Sequence, residues 1–159
     1  MAHSRVGTSS WAWLKGVGTQ EEWLERDWRF RNDYLLTHIW FSKYPRSLRS
    51  GDLLVYYAVG WQVMPAIVQL VSDDVVDEKM EHPKHGERFR WSMRVRPVVT
   101  VDLDRAPRLQ ESPIKSSRVK RLSHLLLRPE EYAPIRDMLL GGARDETDWQ
   151  LTGPFPGPP

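Results

Sequence analysis

A period-2 alternation over residues 90–103 constrains this chain more than any other feature of its sequence. Every odd position in this range is apolar or proline, and Arg90, Arg94 and Arg96 occupy three of the even positions. Successive side chains of a strand point to opposite faces, so the pattern predicts a long half-buried strand, or a pair of strands bent at Pro97. The three arginines then share one outer face.

Two nearly continuous apolar runs predict a hairpin. The first covers residues 53–58 after a Ser-Gly-Asp turn, and the second covers residues 64–71. Pro65 lies near the start of the second run, where its missing N–H is tolerated. A further strand is predicted over residues 8–14, which are short, aromatic and β-prone, and it ends near Lys15.

Two helices are predicted from signals at their N-termini. Thr19 and Glu22 form a capping box, which predicts a helix over about residues 20–26. The Pro-Glu-Glu sequence at residues 129–131 predicts a second helix that ends by Leu140. Proline inside a helix costs ~3 kcal/mol, so it stays open whether this helix begins instead at Pro134.

Residues 27–49 carry six aromatic side chains but no sustained periodicity. We predict mostly loop here, with one short turn of helix. A long connection inside a compact domain is usually functional or disordered, and the aromatic content argues against disorder. A ligand site is therefore expected in this segment.

The length of 159 residues and the hydrophobic content of 40% predict a single domain over residues 1–151, followed by a proline-rich tail at 152–159. No apolar stretch approaches the ~20 residues needed to span a bilayer. The N-terminus lacks an apolar leader, and the chain has no cysteine. We therefore expect a cytoplasmic monomer that does not contact membranes.

Basic residues are concentrated in one part of the chain. Residues 79–128 hold thirteen Lys or Arg against five Asp or Glu, whereas the remainder holds ten against sixteen. This split fits a basic face that binds phosphate groups. It fits equally well a solvated surface whose positive charges pair with acids elsewhere in the chain.

The chain contains eight tryptophans, more aromatic area than a domain of this size needs for its core. Tryptophan buries a large surface but needs a partner for its N–H, so it gathers where an apolar surface meets a wet one. We expect some of these residues in the core and others in the wall of a pocket.

No catalytic constellation stands out. The sequence has no glycine-rich phosphate loop and no Gly-x-Ser-x-Gly or His-Glu-x-x-His motif. His82 and His85 have metal-like spacing, but zinc needs three or four ligands, which favours an ordinary surface loop. Asp102 and Asp104 are favoured as strand-end residues over magnesium ligands. We therefore expect no metal, no cofactor and no enzymatic activity.

Several short motifs follow one another in order over residues 9–139. They are Trp13-Leu14-Lys15, Trp28 with Arg31-Asn32, Gly51-Asp52 through Tyr56-Tyr57, residues 66–71, residues 91–103, Arg121-Leu122-Ser123 and residues 129–132. In this order and spacing the chain resembles the EVE domain. That family belongs to the PUA-like group, which also includes the YTH and ASCH domains.

The resemblance implies an α+β fold, a small curved PUA-like β-barrel of five to six mostly antiparallel strands with short flanking helices. It also implies a concave pocket for one nucleobase, flipped out of DNA or RNA, with a modified base as the expected ligand. A flipped base needs an aromatic face, polar partners for its edge and cations for the flanking phosphates. The expected partner is therefore a nucleic acid.

By position in the resemblance, Trp28 is the predicted aromatic wall, with Arg31 and Asn32 as polar contacts at the mouth. Tyr57 falls where the family has the Tyr of a Tyr-His-Ser ending, but Ala58 and Val59 follow it here. Many relatives also have Ser-Glu-Pro where this chain has Gly16-Val17. Trp40 and Trp61 are predicted to replace the lost contacts.

The complete predicted site has two parts. The ligand-binding residues are Trp13, Lys15, Trp28, Arg31, Asn32, Trp40, Tyr57 and Trp61. The residues predicted to contact the nucleic-acid backbone are Arg90, Arg94, Arg96, Lys120 and Arg121.

Each assignment has a structural alternative. Trp28 is as easily a core anchor, and Arg31 as easily half of a structural ion pair. Tyr56 and Tyr57 alternate, so one of them belongs to the core. The strand arginines are more often a solvated face than a binding track.

Two other functions stay open. An ASCH-like enzyme acting on RNA or modified DNA would need a general base or a metal, and the available imidazoles are His3, His38, His82, His85 and His124. An interaction module would instead bind a protein through exposed tryptophans.

Overall fold

The computed structural model describes residues 10–79, 88–119 and 124–143. Predictions on other residues lie outside this part of the chain. They concern the phosphate contacts Lys120 and Arg121, the His82–His85 loop, Arg121-Leu122-Ser123 in the motif series, and the tail.

Strands make up most of the described structure. They are β1 (Ala12–Val17), β2 (His38–Phe41), β3 (Leu53–Ala58), β4 (Val63–Leu70), β5 (Val76–Asp77), β6 (Trp91–Thr100) and β7 (His124–Leu127). The α-helices are α1 (Trp28–Arg31), α2 (Ser116–Val119) and α3 (Pro129–Gly142). Short 3-10 turns cover Asp33–Leu36, Leu103–Arg105 and Leu109–Glu111.

The strands form one curled sheet in the order β2-β6-β4-β3-β1-β7, and the two-residue β5 also pairs with β6. The β1–β3 pair is parallel, and the other pairs are antiparallel. The strands at the two ends of this order approach each other, because the rings of Phe41 in β2 and His124 in β7 lie 5.4 Å apart. The predicted α+β fold with a small curved barrel is confirmed.

The long alternating strand is confirmed as β6, and it is irregular at Pro97. The β4–β6 register shifts between Ile67 and Val68, and Val68 is the partner of Pro97. A bulge of this kind bends a strand and increases its twist, which helps the sheet to curl. Before Pro97, buried and exposed residues alternate as predicted over residues 93–96, but Ser92 is buried rather than outward-facing and Trp91 is only partly buried. After it, Val98 and Thr100 are buried rather than outward-facing, because α3 packs against β6.

The Gly-Asp turn ties the start of β1 to the start of β3. The buried carboxylate of Asp52 accepts hydrogen bonds from the backbone N–H groups of Trp11, at 3.0 Å, and of Arg49, at 3.1 Å. It also accepts one from the indole N–H of Trp13, at 3.1 Å. Trp13 is only 6% exposed, so it is a core residue here and not part of a ligand-accessible wall.

The predicted helix over residues 20–26 is wrong. Thr19 and Glu22 do pair, since the Glu22 N–H donates to Thr19 Oγ1 and the Thr19 N–H donates to the Glu22 carbonyl, both at 2.9 Å. The pair closes a turn instead of opening a helix. The next residues are held by tertiary contacts, because the indole N–H of Trp61 donates to the Leu24 carbonyl at 2.8 Å.

Three other boundaries differ from the predictions. β1 covers residues 12–17 rather than 8–14, since Lys15, Gly16 and Val17 pair with β3. The segment 27–49 contains α1 and β2 and is therefore not mostly loop. The last helix ends at Gly142 rather than by Leu140, whereas its predicted start at Pro129 is confirmed and it continues through the exposed Pro134.

Helix α3 is anchored at its start by Glu131, whose Oε1 accepts the Arg128 N–H at 3.0 Å. Glu131 Oε2 also forms an ion pair with Arg118, which joins α2 to α3. In the described part of the chain, no helix is long and apolar enough to cross a membrane.

Candidate functional site

A cavity of about 180 Å³ opens beside the C-terminal end of β1. Four aromatic side chains contribute to its walls, namely Trp23, Tyr34, Trp40 and Phe89. Lys15 and Asn32 add polar groups, and Leu35 and Ile39 add apolar surface. The cavity therefore combines flat aromatic walls with a small number of hydrogen-bonding groups.

The segment between α1 and β2 supplies two of these walls. The ring centroids of Tyr34 and Trp40 lie 5.9 Å apart in an edge-to-face arrangement. The indole N–H of Trp40 donates to the Glu78 carbonyl at 3.1 Å, and the His38 ring lies 5.7 Å from Trp40. The orientation of Trp40 is thus fixed by contacts at its polar edge.

Lys15 is an almost fully buried lysine, with 4% of its surface exposed. Its Nζ donates to the Gly16 carbonyl at 2.9 Å and lies 5.2 Å from the ring centroid of Phe41 and 6.0 Å from that of Phe89. Burial, with a smaller contribution from the charge of Arg88, lowers the pKa of Lys15 to about 8. Within the described ranges, no carboxylate forms an ion pair with it.

His124 lies opposite Lys15 across the β1–β7 pair. Burial, followed by the charge of Lys15, lowers the pKa of His124 to about 4. Its ring contacts Trp13 and Phe41, each with centroids 5.4 Å away. The buried Nδ1 has no hydrogen-bond partner among the described residues. The imidazole is therefore neutral at pH 7.

Asn32 lines the cavity but is partly committed to holding the surrounding loop. Its Oδ1 accepts the Glu25 N–H at 3.0 Å. Burial raises the pKa of Tyr34, and a side-chain hydrogen bond with Asn32 opposes that rise. Only part of the hydrogen-bonding capacity of this amide is therefore open to a ligand.

A second, larger cavity of about 750 Å³ adjoins the first. The two share Lys15 and Phe89, and the second is also lined by Tyr57, Lys43 and Arg88. Burial raises the pKa of Tyr57, so its hydroxyl is protonated at pH 7. Lys15 thus lies where an aromatic cavity and a more basic one meet.

Four of the predicted ligand-binding residues line neither cavity, namely Trp13, Trp28, Arg31 and Trp61. Trp28, the predicted aromatic wall, has no exposed surface, and its indole N–H donates to the Val101 carbonyl at 2.9 Å. It is a core anchor, and its ring is not accessible for stacking. Arg31 is exposed and lies 3.5 Å from Asp27 in an ion pair, so the structural alternative fits it better than a pocket contact.

Trp23 lines the first cavity, and Trp61 packs against Trp23 without lining the cavity itself. The two ring centroids lie 5.7 Å apart, and Trp23 is 51% exposed. Gly60, at φ +90°, lets the indole approach its backbone, because a Cβ there would lie 2.3 Å from Trp23. Trp23 was not predicted as a site residue because it fell within the expected helix.

The arginines of β6 share a face with the cavity wall. His38 and Trp40 pair with Arg94 and Ser92, and residues directly opposite in an antiparallel pair point to the same side. Arg96 follows on that face and bonds Gln69 Oε1 at 2.6 Å. Arg94 and Arg96 therefore form an exposed basic surface that begins beside Trp40 in the cavity wall.

Arg90 differs from the other strand arginines because an acid partly offsets its charge. Its guanidinium binds both carboxylate oxygens of Asp77, at 2.7 and 2.6 Å, and lies 5.0 Å from the Trp91 ring.

No family model matches the chain, and no curated protein is significantly similar to it. Solved structures are similar in fold. A hypothetical protein from Leishmania major shares 14% identity with a TM-score of 0.57, over 84% of this chain and 96% of that one. A protein from Agrobacterium tumefaciens shares 14% identity with a TM-score of 0.50, over 90% of this chain and all of that one. At these identities the similarity shows the fold alone.

Proposed function

We propose that the protein is a non-enzymatic nucleic-acid-binding module that captures one nucleobase in the cavity beside β1. The observation that carries this proposal is the set of aromatic walls formed by Trp23, Tyr34, Trp40 and Phe89 around a buried lysine. An EVE-type, PUA-like assignment and a cytoplasmic, monomeric protein belong to the same proposal. The motif order and the curved barrel support that assignment.

The size of the cavity supports a ligand of one planar ring. An apolar cavity of ~150 Å³ holds one benzene molecule. At about 180 Å³, this cavity has room for a ring of similar size with small substituents. A ring that leaves a base stack loses its stacking partners, and aromatic side chains replace them at ~1 to 3 kcal/mol per base.

The polar groups favour a base that presents a hydrogen-bond acceptor. The ammonium group of Lys15 is a donor only, and its one protein acceptor in the described structure is the Gly16 carbonyl. An exocyclic carbonyl oxygen or a ring nitrogen would take up a further N–H. A modified base would present its substituent to the larger cavity beyond Lys15 and Phe89.

Cations around the cavity supply contacts for the flanking phosphates. Arg94 and Arg96 lie on the face of Trp40, and Lys43 and Arg88 line the second cavity. Neighbouring same-face positions on a strand are ~7 Å apart, which is a reachable spacing for successive phosphates. Phosphate contacts would give affinity and position, and the cavity would give selectivity.

The proposal is tested by fluorescence anisotropy with short labelled single strands of DNA and RNA. Each carries one methylated or hydroxymethylated base and is compared with its unmodified control. We expect one modification to bind about tenfold more tightly, which is ~1.4 kcal/mol. No binding to any strand at low salt would overturn the proposal.

Two variants locate the bound base. Trp40→Ala removes a cavity wall and is expected to weaken binding by ~1 to 3 kcal/mol. Phe30→Ala is the matched control, because Phe30 is 78% exposed but does not line the cavity. Equal losses in the two variants would contradict a base in this cavity.

A further inference from the structure

Lys15 holds an amine at the boundary of the two cavities. Lys15 lines both cavities, and its Nζ lies 6.0 Å from the ring centroid of Phe89, which also lines both. On the other side Nζ lies 5.2 Å from Phe41, a fully buried ring. The amine therefore lies beside the wall that the two cavities share.

The surroundings of Lys15 destabilise its ammonium form and so raise the fraction of neutral amine. A buried ammonium group normally has a carboxylate partner, and none pairs with Lys15 within the described ranges. His124 lies opposite it in β7, and Arg88 acts on it electrostatically. The other titratable residues that line a cavity with it are Glu22 and Tyr34 in the first and Glu21, Lys43 and Tyr57 in the second. Burial lowers the Lys15 pKa to about 8, and the neutral amine of a desolvated lysine is a nucleophile.

We propose that Lys15 is a covalent capture site for an aldehyde carried on a planar ring. That the ring is a base of a nucleic acid, such as a formyl-substituted pyrimidine, rests on the proposed function. The aromatic walls place the ring, and the amine lies where a substituent passes from the first cavity into the second. Hydroxymethyl and methyl groups would enter the same space without reacting.

The reaction is a reversible condensation. The lone pair of Nζ attacks the carbonyl carbon, and an N–C bond forms to give a carbinolamine. The C–O bond then breaks, and the oxygen leaves as water with the two protons that the amine carried. A C=N bond remains, nothing is oxidised or reduced, and hydrolysis reverses the step.

The test traps the imine by reduction. A single-stranded DNA with one formylcytosine is incubated with the protein at pH 7, and sodium cyanoborohydride is added. We expect a covalent complex on a denaturing gel and a peptide map that places the adduct on Lys15. At pH 7 the neutral fraction of an amine with a pKa of about 8 is roughly 300 times that of an ordinary lysine.

Three controls make the result specific. The same strand with hydroxymethylcytosine should give no adduct. Lys15→Met should abolish the adduct, and its fold is checked by circular dichroism. Lys115→Met, which removes an exposed lysine outside both cavities, should leave the yield unchanged. Adducts spread over Lys43, Lys79 and Lys115, or an undiminished yield in Lys15→Met, would overturn the proposal.

The capture site and the proposed function can be refuted independently of each other. If hydroxymethylated strands bind in the anisotropy assay but the formyl strand is not trapped on Lys15, capture is wrong and base binding stands. If benzaldehyde is trapped on Lys15 but no strand binds at low salt, the capture site stands and its nucleic-acid ligand is wrong.

Discussion

The indole N–H of Trp28 donates a 2.9 Å hydrogen bond to the carbonyl oxygen of Val101, which joins α1 to the residue just after β6. Trp40 instead donates to the Glu78 carbonyl and keeps part of its ring at the cavity. Both indoles donate to a backbone carbonyl, but the bond of Trp28 is buried in the core, whereas that of Trp40 is exposed. Trp28 anchors the segment that carries Tyr34 and Trp40 to the cavity.

Trp28→Phe is expected to destabilise the protein without changing ligand affinity. The variant leaves the Val101 carbonyl without its donor and reduces the buried volume, so we expect a loss of at least ~2 kcal/mol in the free energy of unfolding. Urea denaturation measures the loss, and anisotropy on the folded variant measures affinity. A weakened affinity at unchanged stability would instead return Trp28 to the binding site.

Lys15→Met is expected to stabilise the protein most at neutral pH. The unfolded chain holds the Lys15 proton up to about pH 10.5, whereas the folded protein releases it near pH 8. Between these values the unfolded state binds more protons, so the free energy of unfolding of the wild type rises with pH. Lowering the Lys15 pKa to about 8 corresponds to ~3 kcal/mol of penalty at pH 7, which methionine removes.

Denaturation of both proteins at several pH values measures that difference. The stability advantage of Lys15→Met should shrink as the pH rises from 8 to 10, and the tyrosines that titrate above this range are common to both proteins. An advantage that stays constant with pH would show that Lys15 is not desolvated.

His124 is expected to titrate with a pKa of about 4 in the folded protein, which NMR of its imidazole protons measures directly. Because the unfolded value is near 6.5, this group's contribution to stability is present above pH 6.5 and is lost as the pH falls toward 4. In Lys15→Met the pKa of His124 should rise, since one of its two causes is removed. A His124 pKa near the unfolded value of 6.5 would exclude the buried arrangement of His124 with Lys15.

Gly60→Ala is expected to displace Trp23. Gly60 has φ +90°, and an added Cβ would lie 2.3 Å from the indole. We expect a loss of more than ~1 kcal/mol in stability and a shift of the Trp23 indole signal in NMR spectra. Gly141→Ala is the matched control, because nothing lies within 4 Å of its Cβ position in α3. Similar effects in the two variants would contradict the packing of Trp23 on Gly60.

Arg94→Gln is expected to reduce the salt dependence of strand binding. Losing one phosphate contact lowers the slope of log K against log salt by ~1. Arg108→Gln is the control. Arg108 is exposed and forms an isolated β-bridge with Val63 at the start of β4, whereas Arg94 lies near Leu70 at the other end of that strand. Equal slopes for the wild type and Arg94→Gln would exclude this face from the phosphate path.

The regular strands of the fold were predictable, and the short tertiary elements were not. The alternation in β6 and the apolar runs of β3 and β4 carry their own signals. Strand β2 has four residues and depends on pairing with β6, which no local pattern records. The capping box at Thr19 was read as a helix start because sequence alone does not show that Trp61 holds Leu24 in a turn.

The candidate site was predictable only in part for a related reason. Lys15, Asn32 and Trp40 line the first cavity, and Tyr57 lines the second. Whether an indole faces the core depends on which carbonyl meets its N–H, and for Trp28 that carbonyl is 73 residues away. The place of Trp23 in the site could not be predicted, because the position of its indole depends on the turn at Gly60.

The most direct test of base capture follows the indole N–H signals of the eight tryptophans by NMR during titration with a short strand carrying the preferred base. Trp40 and Trp23 line the cavity, so their signals are predicted to shift, and those of the buried Trp28 and Trp13 are predicted to stay in place. Binding that moves neither Trp40 nor Trp23 would contradict the account.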